Sequence, residues 1–351
     1  MNDGAMGTAD LIAATVITAA AILGCIVTVA WKGRDARPAH IAPGPAGPPP
    51  PGHAGGGRRV VRDTAPPGVR PGQLGMLLDA RAETNHLVAT IIDLAVRGCL
   101  TVAHEEDGSW TLRRTDTTPP DLLVYERTLL KKLFPTVQGR RRRTTSTLQI
   151  TLTKGGFTTA REALARQVGE MGFFRIPPQR ARRQMRRAGA AISIGGVLIA
   201  LPLIALTGEL LTAVAVVLAG LAVIASAPLM PARTQLGSTI RQQAEDFRAF
   251  LAAADPELID WRRHPRAFSE FLAWTVVFGL SPTWTRLFQR LTDEGRLTPK
   301  TPWYLPVKES FWHREGHIEA LGELVSELSA AIEMADRHEE ATPDDAAVQR
   351  W

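Results

Sequence analysis

Three apolar runs with almost no charge constrain this chain more than any other feature. They cover residues 9–31, 188–206 and 210–230, and Asp10 is the one charged residue among them. Because an α-helix rises about 1.5 Å per residue, about 20 apolar residues are enough to cross the hydrocarbon layer of a bilayer. The sequence therefore predicts an α-helical integral membrane protein with three spans, the last two joined by the turn 207–209.

The charges that flank these runs predict an orientation. Lys32, Arg34 and Arg37 follow the first run, an arginine-rich segment precedes the second, and Arg233 follows the third. Since basic flanks face the cytoplasm, we expect a multi-pass protein of the inner (plasma) membrane, with residues 1–8 outside and most of the mass cytoplasmic. Five arginines before the second run are candidates for lipid headgroup contact or for setting the topology: Arg180, Arg182, Arg183, Arg186 and Arg187.

A tract rich in proline and glycine follows the first run. Residues 38–57 contain seven Pro and six Gly, a composition that cannot bury a core and favours extended chain. We interpret residues 32–71 as a tether that spaces the first run from the domains after it. Proline-rich segments also serve as ligands for aromatic grooves, although spacers are the commoner case.

The remaining chain divides into a basic part and an acidic part. Residues 58–187 contain 24 Lys and Arg against 12 Asp and Glu, whereas residues 231–351 contain 14 against 19. Anionic lipids of the cytoplasmic leaflet attract basic segments. Membrane lipid is therefore an expected partner, and the opposite charges leave open whether the two parts dock on each other.

The basic part, taken as a cytoplasmic domain over residues 72–187, shows a winged-helix-like α+β pattern. The apolar face of residues 84–97 predicts a helix that stops at Gly98 and leads into a short strand. An acidic turn at 105–108 then reverses the chain into a second strand that begins at Trp110. Helix, glycine stop and hairpin are the second half of a winged helix.

The same order of helix, glycine and strand recurs further along the chain. Residues 158–171 predict a helix that stops at Gly172, and residues 173–176 predict a strand. Between the two units, residues 121–134 predict another helix.

A winged helix can bind DNA, but the charges here argue against nucleic acid as a partner. The helix 84–97 offers only His86 and Arg97 to a phosphate, and the wing is acidic. Winged helices also serve as protein-interaction modules. The strongest basic feature is a loop that is a candidate contact for an anionic partner: Arg140, Arg141, Arg142 and Arg143.

The region after the third run predicts mainly helices over residues 231–315. Its apolar segment 271–280 is too short to span a membrane and is interpreted as an interfacial or, preferably, a buried core helix. Residues 316–338 predict an amphipathic helix and residues 339–351 a disordered tail. The seam of that helix is a candidate contact for a second copy, the basic domain or a partner: Ile318, Leu321, Val325, Leu328 and Ile332.

No catalytic, cofactor or metal site emerges from the sequence. Cys25 and Cys99 have no Cys or His neighbour at metal-ligand spacing, and two cysteines do not make a disulfide scaffold. His313 and His317 are four residues apart, but Arg314 lies where a zinc-protease helix needs Glu. We therefore expect a protein that is not an enzyme and that holds no cofactor.

Several strings of residues, taken in order, resemble a known family. They are PPGVRPGQLGMLLD from Pro66, ATIIDLAVRGCLTV from Ala89, LLVYERTLLKKLF from Leu122, DFRAFL from Asp246 and LAWTVVFGLSPTWTRLF from Leu272. In this order they resemble the C-terminal part of the YciQ-like predicted membrane proteins of bacteria, a family of unknown function (domain of unknown function 2207). The resemblance covers residues 66–290 and implies no catalytic residues.

These observations predict a membrane-anchored scaffold or regulatory adaptor that acts through cytoplasmic protein-protein contacts. The absence of a catalytic constellation, the opposite charges of the two cytoplasmic parts and the terminal seam all favour a protein partner or self-association. The alternative is a membrane-tethered, nucleic-acid-binding transcriptional regulator, which would require the arginine loop 140–143 to bind DNA.

Overall fold

The chain divides into two compact units. Unit 1 consists of Met1–Ala39 and Gly169–Thr239, and unit 2 consists of His40–Val168 and Ile240–Trp351. The structure is a computed structural model, and it describes residues 35–36, 63–105, 109–117, 119–134, 136–137, 140–141, 146–147, 156–207, 217–218, 221–225, 232–305 and 317–341.

Helices predominate, and the strands are short. The helices are α1 (Pro71–Asp79), α2 (Thr84–Val96), α3 (Val124–Leu133), α4 (Thr158–Glu170), α5 (Pro178–Thr207), α6 (Gln235–Ala253), the 3₁₀ helix Pro256–Leu258, α7 (Ala267–Val277), α8 (Ser281–Asp293) and α9 (His317–Ala341). The strands are β1 (Leu100–His104), β2 (Trp110–Arg114), β3 (Thr136–Val137), β4 (Arg140–Arg141), β5 (Ser146–Thr147) and β6 (Tyr304–Leu305).

The prediction of a three-span fold is wrong. The run 188–206 belongs to α5, which begins at Pro178, so the arginines assigned to a flank form the first turns of the same helix. Arginine and alanine are both good helix formers, and residues 179–188 contain neither Gly nor Pro. Within the described ranges, no helix combines the length and the apolar character that a membrane crossing requires. The run 9–31 and most of the run 210–230 lie outside those ranges.

Unit 2 is built around α2, which is buried on several sides. This helix packs against α1, α7 and α9, and its buried side chains include Leu87, Ile91 and Leu94. The predicted stop at Gly98 is confirmed, because Gly98 has a φ of +78°, a left-handed conformation that costs glycine little. The chain then enters β1.

The helices α1, α2 and α3 begin in the same way. In each, the third side chain of the helix accepts a hydrogen bond from the backbone N–H that precedes the first turn, as in half of a capping box. This bond fixes the residue at which each helix starts. The pairs are Gln73 Oε1 with the Arg70 N–H (2.8 Å), His86 Nδ1 with the Glu83 N–H (3.0 Å) and Glu126 Oε2 with the Leu123 N–H (2.8 Å).

A sheet with the strand order β5-β2-β1-β6 contacts α2 through β1. Strands β1 and β2 form the predicted hairpin, with His104 opposite Trp110. Strand β6 pairs in parallel with β1 and places Tyr304 opposite Val102. A strand from the C-terminal region therefore completes a sheet that begins in the basic part of the chain.

The structure does not support a winged helix. A DNA-binding winged helix needs one free helical face, whereas α2 is covered by α1, α7 and α9. The hairpin is also paired on both edges, by β5 and by β6. The strand predicted at 173–176, after Gly172, is not formed as a strand. It is a single β-bridge between Phe174 and Arg233.

The short apolar segment of the C-terminal region forms α7, at the centre of unit 2. This helix packs on α1, α2 and α8, and Phe271, Leu272 and Val276 are buried. The Phe271 ring contacts the rings of Phe247 and Trp284 at 5.4 and 5.9 Å between centroids. The apolar side chains from Phe271 to Val276 are buried, so the core interpretation is confirmed.

The terminal helix α9 docks within unit 2. It packs on α2 and α8, with Leu328 and Ile332 buried. The Asp336 carboxylate accepts a hydrogen bond from the Phe157 N–H at 2.6 Å and pairs with the Arg161 guanidinium. The apolar seam of α9 is therefore covered by helices of the same chain.

Unit 1 joins the segments that flank the apolar runs. The Asp35 carboxylate accepts hydrogen bonds from the Arg233 backbone N–H at 2.8 Å and from its guanidinium at 2.9 Å. The Arg175 N–H donates to the Ala232 carbonyl at 3.0 Å. Residues that follow the first run, precede the second and follow the third thus lie together.

Candidate binding cleft

A solvent-open cleft in unit 2 is the candidate site. It lies between the start of α7, the α8 residue Phe288 and the chain segment Leu297–Lys300, and it encloses about 380 Å³. Volumes of this order suit a small ligand or a few side chains of a bound peptide.

Aromatic rings and prolines line the cleft. Phe268 and Phe288 are buried beneath it with ring centroids 5.3 Å apart, and Trp261 packs edge-on against Phe288 at 6.0 Å. Trp261 is half-buried and belongs to the lining, so it presents apolar surface to the opening. Pro265 and Pro299 complete the walls. The lining is mainly apolar and stiff.

A turn stabilised by aspartates positions Trp261. The Asp255 side chain caps the 3₁₀ helix that begins at Pro256, and Asp260 Oδ1 accepts a hydrogen bond from the Arg263 N–H at 3.2 Å. That N–H stabilises the charged carboxylate, so it lowers the pKa of Asp260 below its usual value. The Trp261 Nε1–H donates to the Pro256 carbonyl at 3.1 Å, which fixes the indole ring.

The opposite wall is the chain segment that follows α8. The Thr292 hydroxyl donates to the Leu297 carbonyl at 3.1 Å. The Ser269 hydroxyl reaches the Lys300 carbonyl at 3.4 Å and accepts a hydrogen bond from the Trp303 Nε1–H at 3.0 Å. This wall is therefore held by side chains of α7 and α8 rather than by regular secondary structure.

Positive charge surrounds the mouth of the cleft. Arg266 and Lys300 line it and are exposed, and neither is paired with a carboxylate of the described residues. Arg263, on the same turn, has Asp63 Oδ2 3.6 Å from its guanidinium. The mouth therefore offers hydrogen-bond donors to carbonyl or anionic groups of a ligand.

The arrangement suits binding rather than bond chemistry. The one lining hydroxyl with a buried position, that of Ser269, is already used between Trp303 and Lys300. In the part of the chain that the structure describes, no group of three or more His, Cys, Asp or Glu is placed to hold a metal ion.

A partly buried charge cluster lies elsewhere in unit 2, at the end of α2. The Arg97 guanidinium donates to Glu126 at 2.8 Å, to Asp93 at 3.1 Å and to Asp121 at 3.2 Å. Burial alone would lower the pKa of Arg97, but the Glu126 and Asp93 carboxylates raise it above its ordinary value. Burial also raises the pKa of Asp93 and that of the neighbouring Cys99 thiol. This cluster ties α2 to the start of α3 and contains no activated nucleophile.

The arginines singled out in the sequence lie away from the cleft. Arg182 in α5 is half-buried, and the other members of that set are exposed: Arg180, Arg183, Arg186 and Arg187. Arg140 and Arg141 form β4, whereas Arg142 and Arg143 lie outside the described residues. Neither set contributes to the lining of the cleft.

The helix seam is mostly buried inside unit 2. Leu321, Leu328 and Ile332 are buried and Val325 is half-buried. The side chain of Ile318 lies outside the described part of the chain.

Sequence reasoning missed the cleft because its residues come from separate stretches. The capping pair Asp255-Pro256 and the prolines Pro265 and Pro299 mark turns around aromatic residues, and this was the available signal. No periodic pattern shows that Trp261 and Lys300 line one cleft. That proximity follows from the packing of α7 against α8.

Residues 61–288 match the family described as "Predicted membrane protein (DUF2207) C-terminal domain". The chain belongs to this family. The match confirms the resemblance found in the sequence, and the family is one of predicted membrane proteins of unknown function. The matched residues include the aromatic lining of the cleft as far as Phe288. The cleft wall at 297–300 and helix α9 lie beyond the matched residues. No curated protein and no solved structure matches the chain.

Proposed function

We propose that this chain is a membrane-associated scaffold or regulatory adaptor that acts through protein-protein contacts, with the cleft as its contact surface. The observation that carries the proposal is an apolar, aromatic lining with two cations, Arg266 and Lys300, at an open mouth. Stiff aromatic clefts of this kind bind extended peptide segments, whose side chains fill the lining and whose carbonyls meet the donors. The proposal assigns a binding role and no reaction.

The proposal also gives the chain a place at the cytoplasmic side of the inner membrane, with lipid as a second partner. Membership of a family of predicted membrane proteins supports it. So does α5, where Ile194 and Leu198 are 61% and 65% exposed beyond the arginines of the first turns. Exposed apolar side chains beside basic ones suit an anionic lipid surface. The orientation with the N-terminus outside belongs to the same proposal and depends on charge asymmetry alone.

The packing of α2 argues against the nucleic-acid alternative. A recognition helix must reach base edges in a groove, and α2 has no free face because α1, α7 and α9 cover it. The charge cluster of Arg97 at the end of α2 is internal, so that arginine is already engaged by carboxylates.

Crosslinking of the full-length chain in membranes tests the adaptor proposal. Thr298 lines the cleft and is exposed, so Thr298→Trp should fill the cleft at little cost in stability. Thr117→Trp, at an exposed residue after β2, is the matched control. We expect crosslinked partner bands with the wild type and with Thr117→Trp, and their loss with Thr298→Trp.

Two results would contradict the proposal in different ways. Crosslinks that persist unchanged in Thr298→Trp would remove the cleft as the contact surface. A wild-type chain that yields neither a partner nor self-association would remove the adaptor role itself.

A further inference from the structure

We propose that the cleft binds the chain's own proline-rich tract, residues 38–57, and that this internal occupant regulates access of other partners. The inference rests on the proposed function, since it takes the cleft as a contact surface and names its first occupant. Three observations carry it: where the tract ends, what the cleft offers, and what the tract is made of.

The chain leaves the tract directly beside the cleft. Asp63, six residues after the end of the tract, has its Oδ2 atom 3.6 Å from the Arg263 guanidinium. Arg263 belongs to the turn that holds Trp261, and the lining residues Pro265 and Arg266 follow it. The attachment point of the tract is therefore on the rim of the proposed site.

The length of the intervening chain suits this docking. The run of four prolines at 48–51 ends twelve residues before Asp63. Twelve residues of random coil have a root-mean-square span of about 20 Å, which is comparable to the size of a small domain. The prolines can reach the cleft without strain, and tethering raises their effective concentration there to the order of 1 mM.

The chemistry of the tract matches that of the cleft. Consecutive prolines favour the polyproline II helix, in which apolar rings project outward and the backbone carbonyls carry no internal hydrogen bonds. The rings can pack on Trp261 between Pro265 and Pro299, and the carbonyls can accept hydrogen bonds from Arg266 and Lys300. Residues 38–57 contain no Lys, Arg, Asp or Glu, so the cationic mouth does not repel them.

An internal occupant makes the cleft a regulated site. A partner peptide must displace the tract before it binds, so its apparent affinity equals its intrinsic affinity multiplied by the fraction of chains in which the cleft is free. Anything that pulls the tract away from the cleft would then raise the affinity for partners.

Binding of a labelled peptide to the full-length chain tests the inference. The probe is a fluorescein-labelled synthetic peptide of residues 38–57, followed by fluorescence anisotropy. It is titrated into the wild type and into a full-length variant that carries Pro48→Ser, Pro49→Ser, Pro50→Ser and Pro51→Ser. We expect the peptide to bind the serine variant about tenfold more tightly than the wild type, because the wild-type cleft is already occupied.

Cleft variants show whether the peptide binds at the proposed place. In the serine background, Thr298→Trp should abolish peptide binding, whereas Thr117→Trp should leave it unchanged. A photoreactive residue in place of Ala46 should crosslink within one chain to the segment 261–268. In a mixture of ¹⁴N- and ¹⁵N-labelled protein, crosslinks that join the two labels would show that the tract of a second copy is the occupant, and would overturn the internal docking.

The outcomes separate this inference from the adaptor proposal. Equal peptide affinity for the wild type and the serine variant would overturn internal occupancy. Absence of peptide binding to every variant, with partner crosslinks still lost in Thr298→Trp, would overturn the inference and leave the proposed function standing. Absence of both would overturn both.

Discussion

Two apolar helices of this protein have opposite surroundings. In α7, Phe271 and Leu272 are 2% and 0% exposed, and the neighbouring helices α1, α2 and α8 pack against the helix. In the second half of α5, Ile194 and Leu198 are 61% and 65% exposed. The two segments are similarly apolar in sequence, but only one of them is covered by protein.

The difference shows that an apolar composition predicts that a segment is shielded from water. It does not show whether protein or lipid shields it. For α7 the medium is the protein core, because other helices of unit 2 supply matching apolar faces. The exposed side chains of α5 have no comparable cover among the described residues. Patches of this kind mark contacts with lipid or with other proteins.

The largest expected effect comes from the charge cluster around Arg97, which holds α2 in place. Helix α2 packs directly against α7. Replacement of Arg97 by Met leaves the fully buried Glu126 carboxylate without its cation, which should cost about 3–5 kcal/mol in the free energy of unfolding. Urea unfolding followed by tryptophan fluorescence measures it. The control is Arg241→Met, which breaks an exposed pair with Glu245 in α6 and should cost less than about 1 kcal/mol. Equal losses of unfolding free energy in the two variants would show that the charge cluster does not hold α2 in place.

A matched pair of leucines tests the comparison directly. Leu272→Ala should destabilise the chain by about 2–5 kcal/mol, because it opens a cavity in a closed core. Leu198→Ala should change stability by no more than about 0.5 kcal/mol, because that side chain is already exposed. Chemical denaturation of both variants gives the two values. A large loss in Leu198→Ala would mean that a protein surface covers α5 after all.

The ion pair that holds α9 should have an intermediate and local effect. Asp336→Ala removes the acceptor for the Phe157 N–H and the partner of Arg161, at a cost of about 1–3 kcal/mol. Hydrogen exchange should rise in α9 and at the start of α4, while α7 keeps its protection. Glu327→Ala, at an exposed position of the same helix, is the control. Uniform loss of protection through unit 2 would contradict separate docking of α9.

The smallest expected effect concerns the contact between α5 and lipid, and it tests whether lipid covers the exposed side chains of that helix. Leu198→Ser should weaken cosedimentation of the chain with vesicles of anionic lipid by a few-fold, since a buried leucine contributes about 1.5–3 kcal/mol and a surface contact only part of it. Leu236→Ser, at an exposed leucine of α6, should have little effect. If both substitutions weakened vesicle binding equally, the proposed lipid contact of α5 would be contradicted.

Local features of unit 2 were predictable from the sequence. The stop at Gly98, the hairpin that follows it and the buried segment 271–280 all appear in the structure. Each depends on residues close together in the chain: a glycine with positive φ, two short strands around an acidic turn, and a segment too apolar to face water.

Predictions about which segments of the chain pack against or join each other were less successful. The sequence predicts a winged helix around residues 84–97, whereas α1, α7 and α9 pack against that helix. The sequence predicts that the arginines before residue 188 flank a membrane span, whereas they form one helix with the apolar run. The sequence pattern predicts the helix at 84–97, but it does not show that the arginines continue into the helix of the apolar run, nor which helix surfaces meet.

The family of this protein and the positions of its local elements follow from the amino-acid sequence, since both depend on short strings of residues in a fixed order. The folded chain was needed to show that β6 completes the hairpin sheet, that α9 buries its own seam, and that Trp261 and Lys300 line one cleft. Periodicity and turn chemistry act over only a few residues. Contacts between distant segments depend instead on the shapes of surfaces that form only when the helices pack.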